Sequence, residues 1–221
     1  LCFPRMNTPA YLQPGDTIAI VCPAGYLPAA HVQTCVAVLN QWGYKVIQGT
    51  TVGGASTTYF SGTDAERLID FQRMLDDQTV KAILCGRGGY GTGRIIEQLD
   101  FSTFLLNPKW IIGYSDITVL HAHLHQQYQV VSLHAPMATA FNGEGWKNEY
   151  VQSLREALED TFAKREQAIL FLNRKGWATH MLCEACGDML KCPDCSISLT
   201  LHKNANLFRC HQCLYSAPYQ G

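Results

Sequence analysis

Two sets of residues in this 221-residue chain have the types and spacing to do chemistry. The first centres on Ser115, in Trp110-Ile111-Ile112-Gly113-Tyr114-Ser115-Asp116-Ile117-Thr118, where an apolar run breaks into a short turn and resumes with helical character. A serine at a tight strand-to-helix turn is pushed clear of the sheet, and the next backbone N–H points to where an oxyanion would form, so the pattern suits nucleophilic attack on a carbonyl. It lacks the second glycine of G-x-S-x-G, and Ser-Asp ahead of a helix is also an ordinary N-cap. The second set is three Cys-x-x-Cys pairs, Cys183/Cys186, Cys192/Cys195 and Cys210/Cys213. Each such turn presents two thiolates to one tetrahedral metal, so two pairs close a structural zinc site, whereas a redox centre would use one pair.

The elements that must position Ser115 read as alternating strands and helices. Pro14-Gly15-Asp16 marks a turn, and Thr17 to Cys22 is too continuously apolar for a surface strand, so it reads as a buried parallel one. Val32, Val36 and Leu39 recur at helical spacing and Gly43 sits where a left-handed cap belongs. A second strand follows over Tyr44 to Gln48. Thr63-Asp64-Ala65-Glu66 is a capping box opening a helix with Leu68, Phe71 and Leu75 on one face, and Ala82 to Cys85 is a third strand. The pattern predicts an α/β fold with a parallel sheet of βαβ units and ligands at the carboxyl ends of the strands.

One of those ends carries Gly86-Arg87-Gly88-Gly89-Tyr90-Gly91-Thr92-Gly93, leading into a short predicted helix around Arg94 to Leu99. The glycines allow positive φ and an N–H cradle for an anion, and a flexible turn is the plain alternative. A nucleotide reading fits poorly: neither G-x-G-x-x-G with a clear acidic partner nor G-x-x-x-x-G-K-[ST] is present. His121, His123 and His125 follow the serine on its helix and read as a polar face pointing away from it, without the glutamate of an H-E-x-x-H zinc site. Cys2, Cys22, Cys35 and Cys85 lie among apolar residues and read as buried thiols.

In combination, Pro14 to Val21 with Pro23-Ala24-Gly25, Phe60 to Arg67, Gly86 to Gly91, Ile112 to Asp116 and His134-Ala135-Pro136-Met137 resemble the LD-carboxypeptidase family, which includes microcin-immunity peptidases, over about residues 8 to 146. The resemblance implies Ser115 as nucleophile, the backbone of Asp116 and Gly89 as oxyanion hole, and Gly88, Tyr90 and His134 as substrate-binding residues. It implies murein peptides as substrates, cut ahead of a terminal D-alanine, and no cofactor for that chemistry. Family members complete a Ser-Glu-His triad from a second, C-terminal domain. On that pattern the chain reads as the nucleophile half without its Glu and His, and a serine without a base is a weak nucleophile.

A plausible amphipathic helix at Tyr150 to Leu158 bridges to a segment of different character, in which Ala168 to Leu172 reads as a strand. From about Arg165 to Tyr219 the chain resembles the zinc-binding region of the replication-restart helicase PriA, carried by Ala168 to Trp177, the cysteine pairs, Ser198 to His202 and Arg209-Cys210-His211-Gln212-Cys213. That implies a closed zinc site of Cys192, Cys195, Cys210 and Cys213, with Cys183 and Cys186 as half of another. Without a Walker A sequence, ATP-driven unwinding is not expected. The expected organisation is a nucleophile domain over 1–150, a junction over 151–164 and a small zinc-stabilised cysteine-rich segment over 165–221.

With 47% hydrophobic and 16% charged residues the composition is globular. The net charge of -1 gives no whole-chain attraction to nucleic acid or membranes, although Lys and Arg outnumber Asp and Glu seven to four from Lys164 onward, against ten to fourteen before it. No apolar run reaches the roughly 20 residues of a membrane span and no signal peptide opens the chain, so a cytoplasmic protein is expected, with Leu1 to Arg5 read as upstream sequence. The readings left open are a murein peptidase, alone or as a homodimer; a zinc module contacting DNA or primosome proteins; and an inactive fusion.

Overall fold

The computed structural model describes residues 6–54, 58–164, 190–194, 199–202, 206–210 and 215–219, without the side chains of 157–164. The chain divides into two compact units, Leu1–Phe171 and Leu172–Gly221.

The first unit is built on a five-stranded parallel sheet in the order β2-β1-β3-β4-β5. The strands are β1 (Thr17–Val21), β2 (Lys45–Gln48), β3 (Val80–Cys85), β4 (Trp110–Gly113) and β5 (Leu133–His134). Both faces are covered, which is why Ile18 to Val21 of β1, Ala82 to Cys85 of β3 and Trp110 to Ile112 of β4 read as unbroken apolar runs, while Lys81 near the start of β3 is exposed. Ile18, Ile20 and Cys22 point into one core with Val32, Cys35, Val38 and Leu39, whereas Ala19 and Val21 point into the other with Phe71, Met74 and Leu75. The first set of helical residues belongs to α1 (Ala29–Gln41), closed by Gly43 at φ 92°. The second belongs to α2 (Asp64–Asp76), opened by the Thr63/Glu66 capping box.

Short elements complete the unit. The helix expected near Arg94 to Leu99 is instead two 3₁₀ turns, Thr92–Arg94 and Ile96–Gln98, followed by α3 (Ser102–Leu106). Thr92, Ile95, Ile96 and Leu99 are buried along that stretch, the spacing a helix would give, but the backbone bonds run three residues back, from Arg94 N to Gly91 O, Ile95 N to Thr92 O, Gln98 N to Ile95 O and Leu99 N to Ile96 O. After β4 come a 3₁₀ turn at Ser115–Ile117, α4 (Thr118–His123) and a π turn at Leu124–Tyr128. The bridging helix is longer than expected: α5 (Glu149–Lys164) starts with Val151 and Leu154 buried in the core of the first unit.

Two polar side chains of α2 are buried, against the apolar face read from the sequence. Asp70 accepts hydrogen bonds from Thr50 N (3.0 Å), Thr51 N (2.9 Å), Thr51 Oγ1 (2.6 Å) and Arg73 Nη2 (3.0 Å). Thr51 Oγ1 in turn accepts from Cys22 N at 3.0 Å, so this knot fixes the chain as it leaves β1 and β2. Arg67, fully buried, donates to Pro23 O (2.5 Å) and Gly91 O (3.0 Å) and pairs with Asp64. Cys22, Cys35 and Cys85 are the buried thiols expected, with burial pushing the Cys22 thiol up to about 12. Cys2 lies outside the described residues.

In the second unit, β6 (Thr200–His202), β7 (Leu207–Arg209) and β8 (Ser216–Pro218) form an antiparallel sheet. Cys192, Leu199 and Cys210 are buried together there, with Phe208 and Tyr215 against them. Cys183, Cys186, Cys195, Cys213 and the expected strand at Ala168 to Leu172 lie outside the described residues.

Candidate active site

The strand order places β2 on one side of β1 and β3, β4 and β5 on the other, so connections leave in opposite directions and a crevice opens at the carboxyl ends of β1 and β3. The loops that end β1, β3, β4 and β5 meet there. Gly25 N donates to Gly88 O at 3.2 Å, Thr139 N to Gly86 O at 3.0 Å, and Thr92 N to Asp116 Oδ2 at 2.9 Å. Arg67 binds the β1 and β3 loops from beneath through Pro23 O and Gly91 O.

Ser115 is exposed and has φ 63°, in the left-handed region that non-glycine residues avoid at a cost of about 1 to 3 kcal/mol. The turn around it is tight. A Cβ on Gly113 would meet Ile117 Cγ1 and Cγ2 at 2.9 Å, so the bare Gly113 gives Ile117 its buried place. This accounts for the missing second glycine of the elbow pattern: Ile117 occupies that position and packs back onto the first. Asp116 does not cap its own helix through its side chain; it accepts from Thr92 of the glycine loop.

The glycine loop lies directly against the serine. A Cβ on Gly88 would stand 3.2 Å from Ser115 Cβ and 3.4 Å from both Ser115 Oγ and Met137 Cε. Gly89 has φ 114°, and a Cβ there would overlap the Tyr59 hydroxyl. Tyr59, which no motif in the sequence singles out, is half exposed, and its ring packs edge-on to Phe60 at 5.6 Å. Tyr90, also exposed, tilts against Phe60 at 6.1 Å. The guanidinium groups of Arg67 and Arg94 lie 4.9 and 5.5 Å from the same ring, and Arg94 is held by Asp64 at 2.6 Å. The contact of Tyr59 with Gly89 spans thirty residues and needs the folded β3 loop, so local sequence carries no sign of it.

His134 ends β5 in an exposed position, its ring 6.2 Å from that of Tyr114 and 6.0 Å from that of His121. His121 is not part of a polar helix face. It is half-buried, with Nε2 2.9 Å from Gly113 O and Nδ1 2.8 Å from Ser132 Oγ. A carbonyl only accepts, so Nε2 carries the proton and Nδ1 accepts from the Ser132 hydroxyl. Both nitrogens are committed, and burial holds the imidazole below its ordinary range, in the neutral form. His121 thus steadies the Gly113 carbonyl, which also accepts from Ala135 N at 3.1 Å, and has no lone pair to take a proton from Ser115. His123 packs instead against Phe101 and Tyr128, and His125 is exposed.

An exposed serine on a strained turn at the switch point of a parallel sheet, with a glycine loop against its side chain, is placed to present its hydroxyl to a carbonyl. Residues 18–135 match the family of the LD-carboxypeptidase N-terminal domain, and the chain belongs to that family. A Bacillus subtilis (strain 168) protein named "Probable murein peptide carboxypeptidase" is 40% identical over 129 residues, covering 58% of this chain and 40% of that protein. The crystal structure of an MccF-like protein from Bacillus anthracis str. Ames superposes with a TM-score of 0.60 at 25% identity, covering 69% of this chain and 46% of that one. Residues 192–218 match the Cys-rich region of the PriA DNA helicase. The replication restart protein PriA of Bacillus subtilis (strain 168) is 35% identical over 105 residues, 48% of this chain and 13% of that protein. The chain thus spans less than half the length of these relatives.

Among the described residues no helix is long and apolar enough to cross a membrane, and no group of three or more His, Cys, Asp or Glu side chains gathers to hold a metal.

Proposed function

We propose that the first unit carries the nucleophile of a serine peptidase of the LD-carboxypeptidase type acting on murein peptides. The observation that carries this reading is Ser115, exposed at φ 63° with Gly88 packed on its side chain. Ser115 Oγ attacks the carbonyl ahead of a terminal D-alanine, while the N–H groups of Asp116 and Gly89 receive the developing oxyanion. Gly88, Tyr90 and His134 line the peptide. The serine proton needs a base. His121 is spent on Gly113 and Ser132, and the resemblance to the LD-carboxypeptidase family implies that the base is the His of a Ser-Glu-His triad supplied by a second domain.

The test is release of D-alanine from a murein tetrapeptide by the purified chain beside Ser115→Ala. Serine-dependent release supports the proposal and places the base within this chain or a second copy of it. Tetrapeptide binding without release assigns this chain the substrate-holding share of the site. Release indifferent to Ser115, or no binding of the peptide, overturns the reading.

For the second unit, Cys192, Cys195, Cys210 and Cys213 are proposed to hold one structural zinc, with Cys183 and Cys186 contributing to another. The burial of Cys192 and Cys210 in one cluster beside a three-stranded sheet fits a thiolate site. Zinc would supply a tetrahedral cross-link to a segment with little core of its own. Contact with DNA or replication-restart partners is the second reading for this unit, supported by the match over residues 192–218. The proposed organisation is 1–150 for the nucleophile domain, 151–164 for the connecting helix and 165–221 for the zinc segment.

A further inference from the structure

An enzyme that trims peptide ends must distinguish a chain terminus from an interior bond, and the difference is one negative charge. We infer that Arg87 recognises the terminal carboxylate of the peptide at this site, an inference that rests on the peptidase reading above. Three arginines stand among the loops at the carboxyl edge of the sheet. Arg67 is buried and spent on Asp64, Pro23 O and Gly91 O, and Arg94 is clamped by both oxygens of Asp64. Arg87 is exposed and forms no ion pair among the described residues.

Its position is set by the backbone on either side. The next residue, Gly88, is the one packed against Ser115, so the guanidinium is carried by the same loop that abuts the nucleophile. The stem crosses to the β1 loop, with Cδ 3.6 Å from where a Cβ of Gly25 would stand, and Nη1 donates to Tyr26 O at 3.1 Å. The glycine at position 25 is required by Gly88 O, 2.7 Å from where its Cβ would stand, and this close approach holds the β1 loop against the loop that carries Arg87. Anchoring one nitrogen to a carbonyl orders the side chain beforehand while the planar fork keeps further donors, which suits bidentate capture of a carboxylate. The nearest acidic group of the elbow, Asp116, is already engaged by Thr92 N, which limits its repulsion of an incoming anion.

The experiment compares two murein tetrapeptides, one with a free terminal carboxylate and one ending in an amide, binding to the Ser115→Ala chain, where no turnover intervenes. The acid is expected to bind roughly tenfold to a hundredfold more tightly than the amide, the range of a charge-assisted hydrogen-bonded pair. Adding Arg87→Gln should level the two, and adding Arg87→Lys should leave an intermediate preference, since the charge remains and the fork is lost. Raising the salt concentration should narrow the gap, because the group is exposed. Equal binding of acid and amide, or a preference that survives Arg87→Gln in a protein with unchanged thermal unfolding, overturns the role of Arg87 and leaves peptide binding standing. Binding of neither peptide overturns both this inference and the peptidase reading.

Discussion

Removing the Asp70 carboxylate should unfold the first unit more readily than any surface change in α2. Oδ2 accepts from Thr51 N and Thr51 Oγ1, and Oδ1 from Thr50 N and Arg73 Nη2. The Arg73 side chain is 53% exposed, so its ion pair contributes about 0 to 1 kcal/mol. The cost lies chiefly in Thr51 N, left without an acceptor in a buried place at about 1 to 3 kcal/mol, with a smaller share from Thr50 N, whose bond to Asp70 is only part-buried. Thr51 Oγ1 can turn its proton elsewhere and adds little. Asp70→Ala is therefore expected to lose about 2 to 4 kcal/mol, measured by urea unfolding followed by circular dichroism and tryptophan fluorescence. Asp70→Asn should not rescue it, because either amide orientation turns an NH₂ toward a backbone N–H. Thr51→Val should be non-additive with Asp70→Ala by more than about 0.5 kcal/mol, since both remove the same bond. A loss under about 1 kcal/mol for Asp70→Ala, or full additivity, would refute the account of a buried acceptor serving converging donors.

Other outcomes follow from the site. Burial depresses the folded-state pKa of His121 below the roughly 6.5 of an unfolded histidine. The unfolded chain thus binds more protons below that pH, and stability that is full above about pH 6.5 falls as acid is added toward the folded pKa. Midpoints measured between pH 7 and pH 5 should show this slope, and His121→Gln should flatten it. Gly89→Ala, at φ 114° and against the Tyr59 hydroxyl, should cost about 1 to 3 kcal/mol and abolish D-alanine release, with Tyr59→Phe recovering part of the stability. Gly88→Ala should leave thermal unfolding nearly unchanged while lowering serine-dependent release, because only Ser115 and Met137 must yield a few tenths of an ångström. A zinc chelator should erase the β6-β7-β8 sheet signal of the second unit and leave the unfolding midpoint of the first unit in place, read by amide resonances of each unit.

Features set by neighbours along the chain are legible in the sequence. The apolar run of β1, the Thr63/Glu66 capping box and the Gly43 cap are local, and each forms as its residues imply. The turn at Ser115 is legible because strand, glycine and serine are contiguous. What cannot be read there depends on partners far along the chain. Arg67 and Asp70 look like the solvent face of α2 until Pro23, Gly91, Thr50 and Thr51 arrive to satisfy them. His121 looks like one of three surface histidines until Ser132 and Gly113 close on its two nitrogens. Two 3₁₀ turns replace a helix although Ile95, Ile96 and Leu99 recur at helical spacing and are buried, so burial pattern alone does not tell the two apart.

The bonds around Ser115 have a consequence for when its turn takes shape. Gly25 to Gly88, Thr92 to Asp116, Ala135 to Gly113 and Thr139 to Gly86 each join segments far apart in the chain, and together they hold the turn in its disfavoured backbone conformation. No short stretch around the serine contains the means to hold itself so. The strained backbone of Ser115 is therefore a property of the finished sheet: a chain that has lost its later strands loses the bonds that hold it, and the nucleophile proposed above forms only as the sheet closes.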